Sequence, residues 1–127
     1  MSSVAGTRPA ARYVGLMSGT SADGVDGCLV RFAGSRAQVD AHVHRPFADT
    51  LRGDILAAME QADLPAAANL DVRLADEYAA TVTELLASAG VDHRHVRAIG
   101  SHGQTVLHRP SGEFPTSVQL GDPHRLA

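Results

Sequence analysis

The 127-residue chain is 44% hydrophobic and 20% charged, enough for one domain with its own core. Its formal net charge of −3 gives no basic footprint for nucleic acid, and aromatic residues at 4% are too few for a base-stacking platform. No apolar run reaches the roughly 18 residues that a membrane-spanning helix needs, so no membrane partner is expected.

In chain order, MSSVAGTRPAAR lacks an apolar signal core, and residues 1–11 read as a disordered tail. Tyr13, Val14, Leu16 and Met17 suit a strand buried on both faces. The segment from Ser18 to Gly24 then supplies turn chemistry, and Val25, Cys28, Leu29, Val30 and Phe32 resume an apolar strand. Cys28, the only cysteine, excludes an internal disulfide, fits a reducing cytoplasm and reads as a small core residue. Gly34 and Ser35 mark a turn, after which Val39, Ala41 and Val43 alternate with Asp40, His42 and His44 as a third, edge strand. His42 and His44 share a face, but no carboxylate or thiolate can be placed beside them, so solvated side chains are expected rather than a metal site.

Asp49 or Thr50 is the expected cap of a first helix bearing Leu51, Ile55, Met59 and Ala62, closed by Leu64 and Pro65. Asn69 or Asp71 is expected to open a second, with Leu74, Tyr78, Thr81, Leu85 and Ala89 on one face and Gly90 as a left-handed cap. The two helices are expected to pack on one sheet face. Val96 to Ser101 reads as a central strand with His102, Gly103, Gln104 and Thr105 at its end, where open α/β sheets place ligands. Val106 to His108 and Ser117 to Leu120 make a strand pair around a turn. Asp122 and Pro123 announce a helix as N-cap and first residue, and its brevity suggests the first part of a longer protein or a truncated gene product.

The first turn carries the most chemistry. Gly19 and Gly24 flank Thr20, Ser21, Ala22 and Asp23, with Val25 and Asp26 just beyond. Backbone N–H groups in such a turn can converge on phosphate, the hydroxyls can add donors, and Asp23 and Asp26 offer hard oxygens of the kind magnesium takes. An ordinary hairpin with a long polar turn remains the plain alternative. A P-loop fails because Val25 and Asp26 stand where its Lys and Ser/Thr belong, and a dinucleotide fold lacks both its glycine pattern and its helix.

MSGTSADGVD resembles the first phosphate loop of the anhydro-N-acetylmuramic acid kinases, M-S-G-T-S-x-D-G-V-D, and AIGSHGQTVLHRP and SVQLGDP resemble two later family motifs in the same order. The likeness spans about residues 12 to 127. It implies an α/β fold, a ribonuclease-H-like lobe of the actin and sugar-kinase type. Residues 12–127 would be the N-terminal part of the first of two lobes, built from an antiparallel three-strand meander, two helices and a further central strand. It also implies a cytoplasmic kinase, with a homodimer as an option at full length, that uses ATP and Mg2+. Such an enzyme opens 1,6-anhydro-N-acetylmuramic acid and phosphorylates it to N-acetylmuramic acid 6-phosphate, in recycling of cell-wall amino sugars.

By the same resemblance, Gly19, Thr20, Ser21, Ala22, Asp23, Gly24, Val25 and Asp26 bind the ATP phosphates, with Asp23 as the magnesium ligand. His102, Gly103, Gln104 and Thr105 line the sugar cleft, where Gln104 could supply a bidentate amide. Asp122 is a helix cap first and a cleft residue second. The family's catalytic aspartate lies beyond residue 127, so this chain alone is expected to be inactive. A sugar kinase of the same superfamily with another substrate, or a non-catalytic module binding a sugar or partner, are the alternatives.

Overall fold

A computed structural model describes residues 10–127. The tail expected over residues 1–11 falls, for residues 1–9, outside the described residues. The elements are strands β1 (Arg12–Ser18), β2 (Gly24–Ala33) and β3 (Arg36–Pro46), helices α1 (Asp49–Glu60) and α2 (Leu64–Ala89), a 3-10 turn at His93–His95, strands β4 (Val96–Arg109) and β5 (Thr116–Leu120), and helix α3 (Pro123–Leu126). One sheet runs in the order β3-β2-β1-β4-β5. Only the β1–β4 pairing is parallel. The meander, the helical pair and the later strand expected from the sequence are therefore all present. Among the described residues, no helix is long and apolar enough to cross a membrane.

The core lies between one face of the sheet and the two longer helices. Val14, Leu16, Val25 and Leu29 meet Leu51 and Ile55 of α1 and Leu74, Tyr78 and Leu85 of α2 in a single buried cluster. Strand alternation sends the other residues of β1 and β2 to a face that no described helix covers. There Met17 is 50% and Phe32 53% exposed, and Tyr13 packs edge-on against Phe32 with ring centroids 5.4 Å apart. β1 is thus buried on one face, not both. Cys28 is half-buried on that open face rather than in the core.

Three local expectations shift for identifiable reasons. The pairing of β2 with β3 steps from Leu29↔Ala41 to Val30↔Val39, so Asp40 is an extra residue. Such a bulge reverses the alternation, and Val39 leaves the face of Ala41 and Val43 and is 62% exposed. Helix α1 is preceded by Ala48, which makes no side-chain cap, and Asp49 contributes only its charge to the first turn. Leu64 and Pro65 do not close α1 but open α2. Asp63 caps it by accepting from Ala66 N at 2.8 Å, and proline is tolerated in a first turn whose N–H groups lack helical partners. Leu74, Tyr78, Thr81 and Leu85 are buried, Ala89 is half-buried, and Gly90 ends the helix in the left-handed conformation.

β4 also differs. It continues through His102–Thr105 instead of ending before them, because it changes partner: its first half pairs with β1, and Gln104–Arg109 pairs with β5. Val96–Ser101 has no second neighbour among the described strands, so this half is mostly exposed.

Candidate functional site

The Gly19–Asp23 turn sits beyond the carboxyl end of β1, and its conformation is set from three sides. Gly19 O accepts from Ala22 N at 3.0 Å, closing a tight turn, and from Gln104 Nε2 at 2.9 Å. Asp23 O accepts from Phe47 N at 2.9 Å, and Ser21 O accepts from Arg52 Nη2 at 3.3 Å. Alternate carbonyls at positions 19, 21 and 23 are therefore all tied to the protein. Gly19, Thr20, Ser21 and Asp23 are exposed, whereas Ala22 is fully buried at a φ of 53°, unusual for a residue with a Cβ. A turn anchored through its carbonyls, with small side chains outward, is the backbone arrangement that can receive an anion.

Beneath the turn lies a polar network in otherwise apolar surroundings. Ser18 Oγ is buried 2.8 Å from Tyr78 Oη of α2 and donates over 3.5 Å to Gly103 O. Burial pushes the Tyr78 phenol above its usual range, and the Ser18 bond pulls it partly back. Gly103, at φ 78°, forms the step in register between Leu16↔Ser101 and Ser18↔Gln104. A Cβ there would lie 2.8 Å from Leu120 O. Gly121, at φ 125°, lies so close to Tyr78 that a Cβ would come within 2.4 Å of the ring. Its N–H donates to Asp71 Oδ1 at 2.7 Å. SHGQT and LGDP thus converge on one structure, a support beneath the first loop.

The eight loop positions do not act as one group. Asp23 is exposed in the turn, and Gly24 and Val25 are buried. The Asp26 side chain is 54% exposed and paired with histidines across the strand: Oδ1 lies 3.3 Å from His42 Nε2 and 3.1 Å from His44 Nδ1. The expectation that these histidines lack a carboxylate is corrected here. β2 and β3 bring Asp26 opposite His44, a register that sequence alone had not fixed. Among the described residues, no three His, Cys, Asp or Glu side chains are grouped to hold an ion. One or two carboxylates, Asp23 first, suit magnesium, which takes its remaining oxygens from phosphates and water.

The second candidate set divides. His102 is exposed, with Nδ1 3.2 Å from Gly103 O, and borders a depression of about 300 Å3 on the open face with Asp26, His42 and Met17. Gln104 is completely buried, its amide turned to Gly19 O and Thr105 O, not offered to the surface as a bidentate group. Thr105 Oγ1 accepts from Gln119 Nε2 at 3.1 Å. Asp122 is the helix cap, accepting from His124 N at 2.9 Å.

Arg52 is a site residue that the sequence reading missed. The signal was in the hairpin: Gly24 pairs with Pro46, so the turn before β2 and the start of α1 after β3 must be neighbours. That adjacency puts a guanidinium beside the Gly19–Asp23 turn.

The family model described as anhydro-N-acetylmuramic acid kinase matches residues 11–127. A Vibrio vulnificus protein named as an anhydro-N-acetylmuramic acid kinase is 45% identical over 117 residues, which are 91% of this chain and 32% of the relative. Proteins of the same name from a Sulfurovum strain and from Xylella fastidiosa are 42% and 38% identical, with 33% of each relative covered. The chain spans about a third of the length of these relatives, in their N-terminal part.

Proposed function

The chain belongs to the anhydro-N-acetylmuramic acid kinase family, and on that premise we propose that it supplies the phosphate-holding part of the first lobe of an ATP-dependent kinase acting on 1,6-anhydro-N-acetylmuramic acid. The observation that carries this reading is the turn whose carbonyls at Gly19, Ser21 and Asp23 are all bound to the protein while Gly19, Thr20 and Ser21 are exposed. Anchoring fixes the turn before the nucleotide arrives, so little reorganisation is needed when charge develops during transfer. Thr20 and Ser21 add hydroxyl donors, Arg52 adds positive charge, and Asp23 holds magnesium, with Asp26 the weaker second candidate.

His102 borders the sugar side of the cleft, whereas Gly103, Gln104 and Thr105 act by supporting the loop. Positioning and electrostatic stabilisation are most of what phosphoryl transfer requires of a protein. In the complete enzyme, an aspartate outside this chain activates water at the anomeric carbon, and the released 6-oxygen takes the γ-phosphate. The product is N-acetylmuramic acid 6-phosphate, made in the cytoplasm.

A chimera tests this reading. Residues 11–127 replace the matched third of the Vibrio vulnificus relative, and phosphorylation of the anhydro sugar is measured with MgATP. Turnover by the chimera is expected, its loss on Asp23→Ala is expected, and the 127-residue chain alone is expected to be inactive. Turnover by that chain alone, or an unaffected Asp23→Ala chimera, contradicts the proposal. A chimera that phosphorylates only another sugar selects a different kinase of the superfamily.

A further inference from the structure

Among the described residues, Gln104 Oε1 is the only buried side-chain nitrogen or oxygen without a hydrogen-bond partner. The other end of the same amide donates to Gly19 O at 2.9 Å and to Thr105 O at 3.3 Å. Both neighbours are carbonyls and can only accept, so the NH2 must lie on their side and the oxygen must be the orphan. A buried acceptor left unpaired is a cost to the fold. Gly19 O does not need this donor in order to be satisfied, because Ala22 N already reaches it at 3.0 Å. Packing and hydrogen-bond satisfaction alone would favour an apolar side chain here.

The orientation of one peptide unit supplies a reason for the amide. In a trans peptide, the C=O of one residue and the N–H of the next point to opposite sides of the chain. No peptide bond in the described residues is cis. Gly19 C=O is drawn toward the fully buried Gln104, so Thr20 N–H points the other way, to the side where Gly19, Thr20 and Ser21 are exposed. We propose that Gln104 is a positioning residue of the phosphate loop: without touching the anion, its Nε2 fixes the Gly19–Thr20 peptide so that Thr20 N–H is presented to phosphate. This role rests on the phosphate-loop reading above. It differs from a cleft-lining role for Gln104, in which the amide itself would meet the ligand.

The experiment uses the 15N-labelled 127-residue chain and its Gln104→Met variant, each titrated with MgATP, with thermal unfolding followed in parallel. Methionine fills a similar volume, removes the donor and also removes the orphan oxygen. The variant is therefore expected to keep its unfolding midpoint yet bind MgATP about tenfold more weakly, as loss of one donor to a charged group implies. In the wild-type chain, the Thr20 amide is expected to exchange rapidly with solvent when free and to shift and slow when MgATP is added. That readout needs no variant to fold.

The role of Gln104 is overturned if Gln104→Met binds MgATP as tightly as wild type. It is equally overturned if the Thr20 amide is protected in the free chain or indifferent to MgATP while neighbouring loop amides respond; the loop reading then stands without it. If MgATP moves no amide between Gly19 and Asp26, the loop reading itself falls and the role of Gln104 falls with it.

Discussion

The two faces of the first hairpin hold polar groups on opposite terms. On the helix-covered face, Ser18, Tyr78 and Gln104 are buried, with bonds of 2.8 Å between Ser18 and Tyr78 and 2.9 Å from Gln104 to Gly19. On the open face, Asp26, His42, His44 and His102 are exposed, and the two Asp26 contacts run at 3.1 and 3.3 Å. A buried bond has no water to replace it, so it fixes geometry; an exposed ion pair is screened and exchanges easily with solvent. The covered face therefore holds the loop in shape, and the open face offers groups that remain free to meet a ligand or another surface.

Substitutions that reach into the covered face should have the largest effects. Gly121→Ala places a Cβ within 2.4 Å of the Tyr78 ring at a φ of 125° that alanine rarely adopts. It should destabilise the chain by roughly 2–4 kcal/mol, as overpacking combined with a strained backbone does. Denaturant unfolding measures this. A loss below about 0.5 kcal/mol, the range of neutral surface changes, would mean that Tyr78 is not locked where the structure has it and that the two faces differ less than proposed.

A smaller effect is expected for Tyr78→Phe, which keeps the ring and removes the hydroxyl. Ser18 Oγ then retains only its 3.5 Å contact with Gly103 O. The cost should be about 1–2 kcal/mol, that of a buried hydroxyl losing its partner. The same substitution has a pH signature. Burial raises the folded phenol above its ordinary value of 10.0, so above that value the folded state holds a proton that the unfolded state gives up. Wild-type stability should fall as pH rises past about 10, and Tyr78→Phe should lose that part of the alkaline decline. An identical decline in both proteins would place the phenol in contact with water.

Most of the architecture was legible because hydrophobic period and turn chemistry agreed. The row Leu74, Tyr78, Thr81, Leu85 specifies one buried side, and Asp122–Pro123 specifies a helix start, whereas the apolar run of β1 hid which of its faces stays open. The misses came where local signals compete or where distant pairing decides. Asp63 before Leu64–Pro65 is as good a start signal as Asn69 or Asp71, and the helix takes the earlier one. The bulge at Asp40 has no mark in composition; its carboxylate is held by Arg31 at 2.8 Å and Arg12 at 3.4 Å, partners named only by strand register. At the site, the turn was visible from its glycines and hydroxyls. The support beneath it was not, because Ser18, Tyr78, Gln104 and Gly121 are far apart in sequence and meet only through the β1–β4 pairing and the packing of α2.

The smallest effect should come from the open face. In His42→Ala combined with His44→Ala, Asp26 loses both partners but keeps its hydration, since its side chain is 54% exposed. Stability should therefore change by no more than about 0.5 kcal/mol, well below the effect of Tyr78→Phe, although two contacts are removed instead of one. The sensitive readout is the carboxylate itself. The side-chain carbon of Asp26 should shift by NMR when the two imidazoles beside it are removed, while Gly19–Asp23 amides stay in place. A double variant that unfolds several degrees lower, or whose loop amides move, would show that the open face also shapes the turn, and the division of labour between the faces would fail.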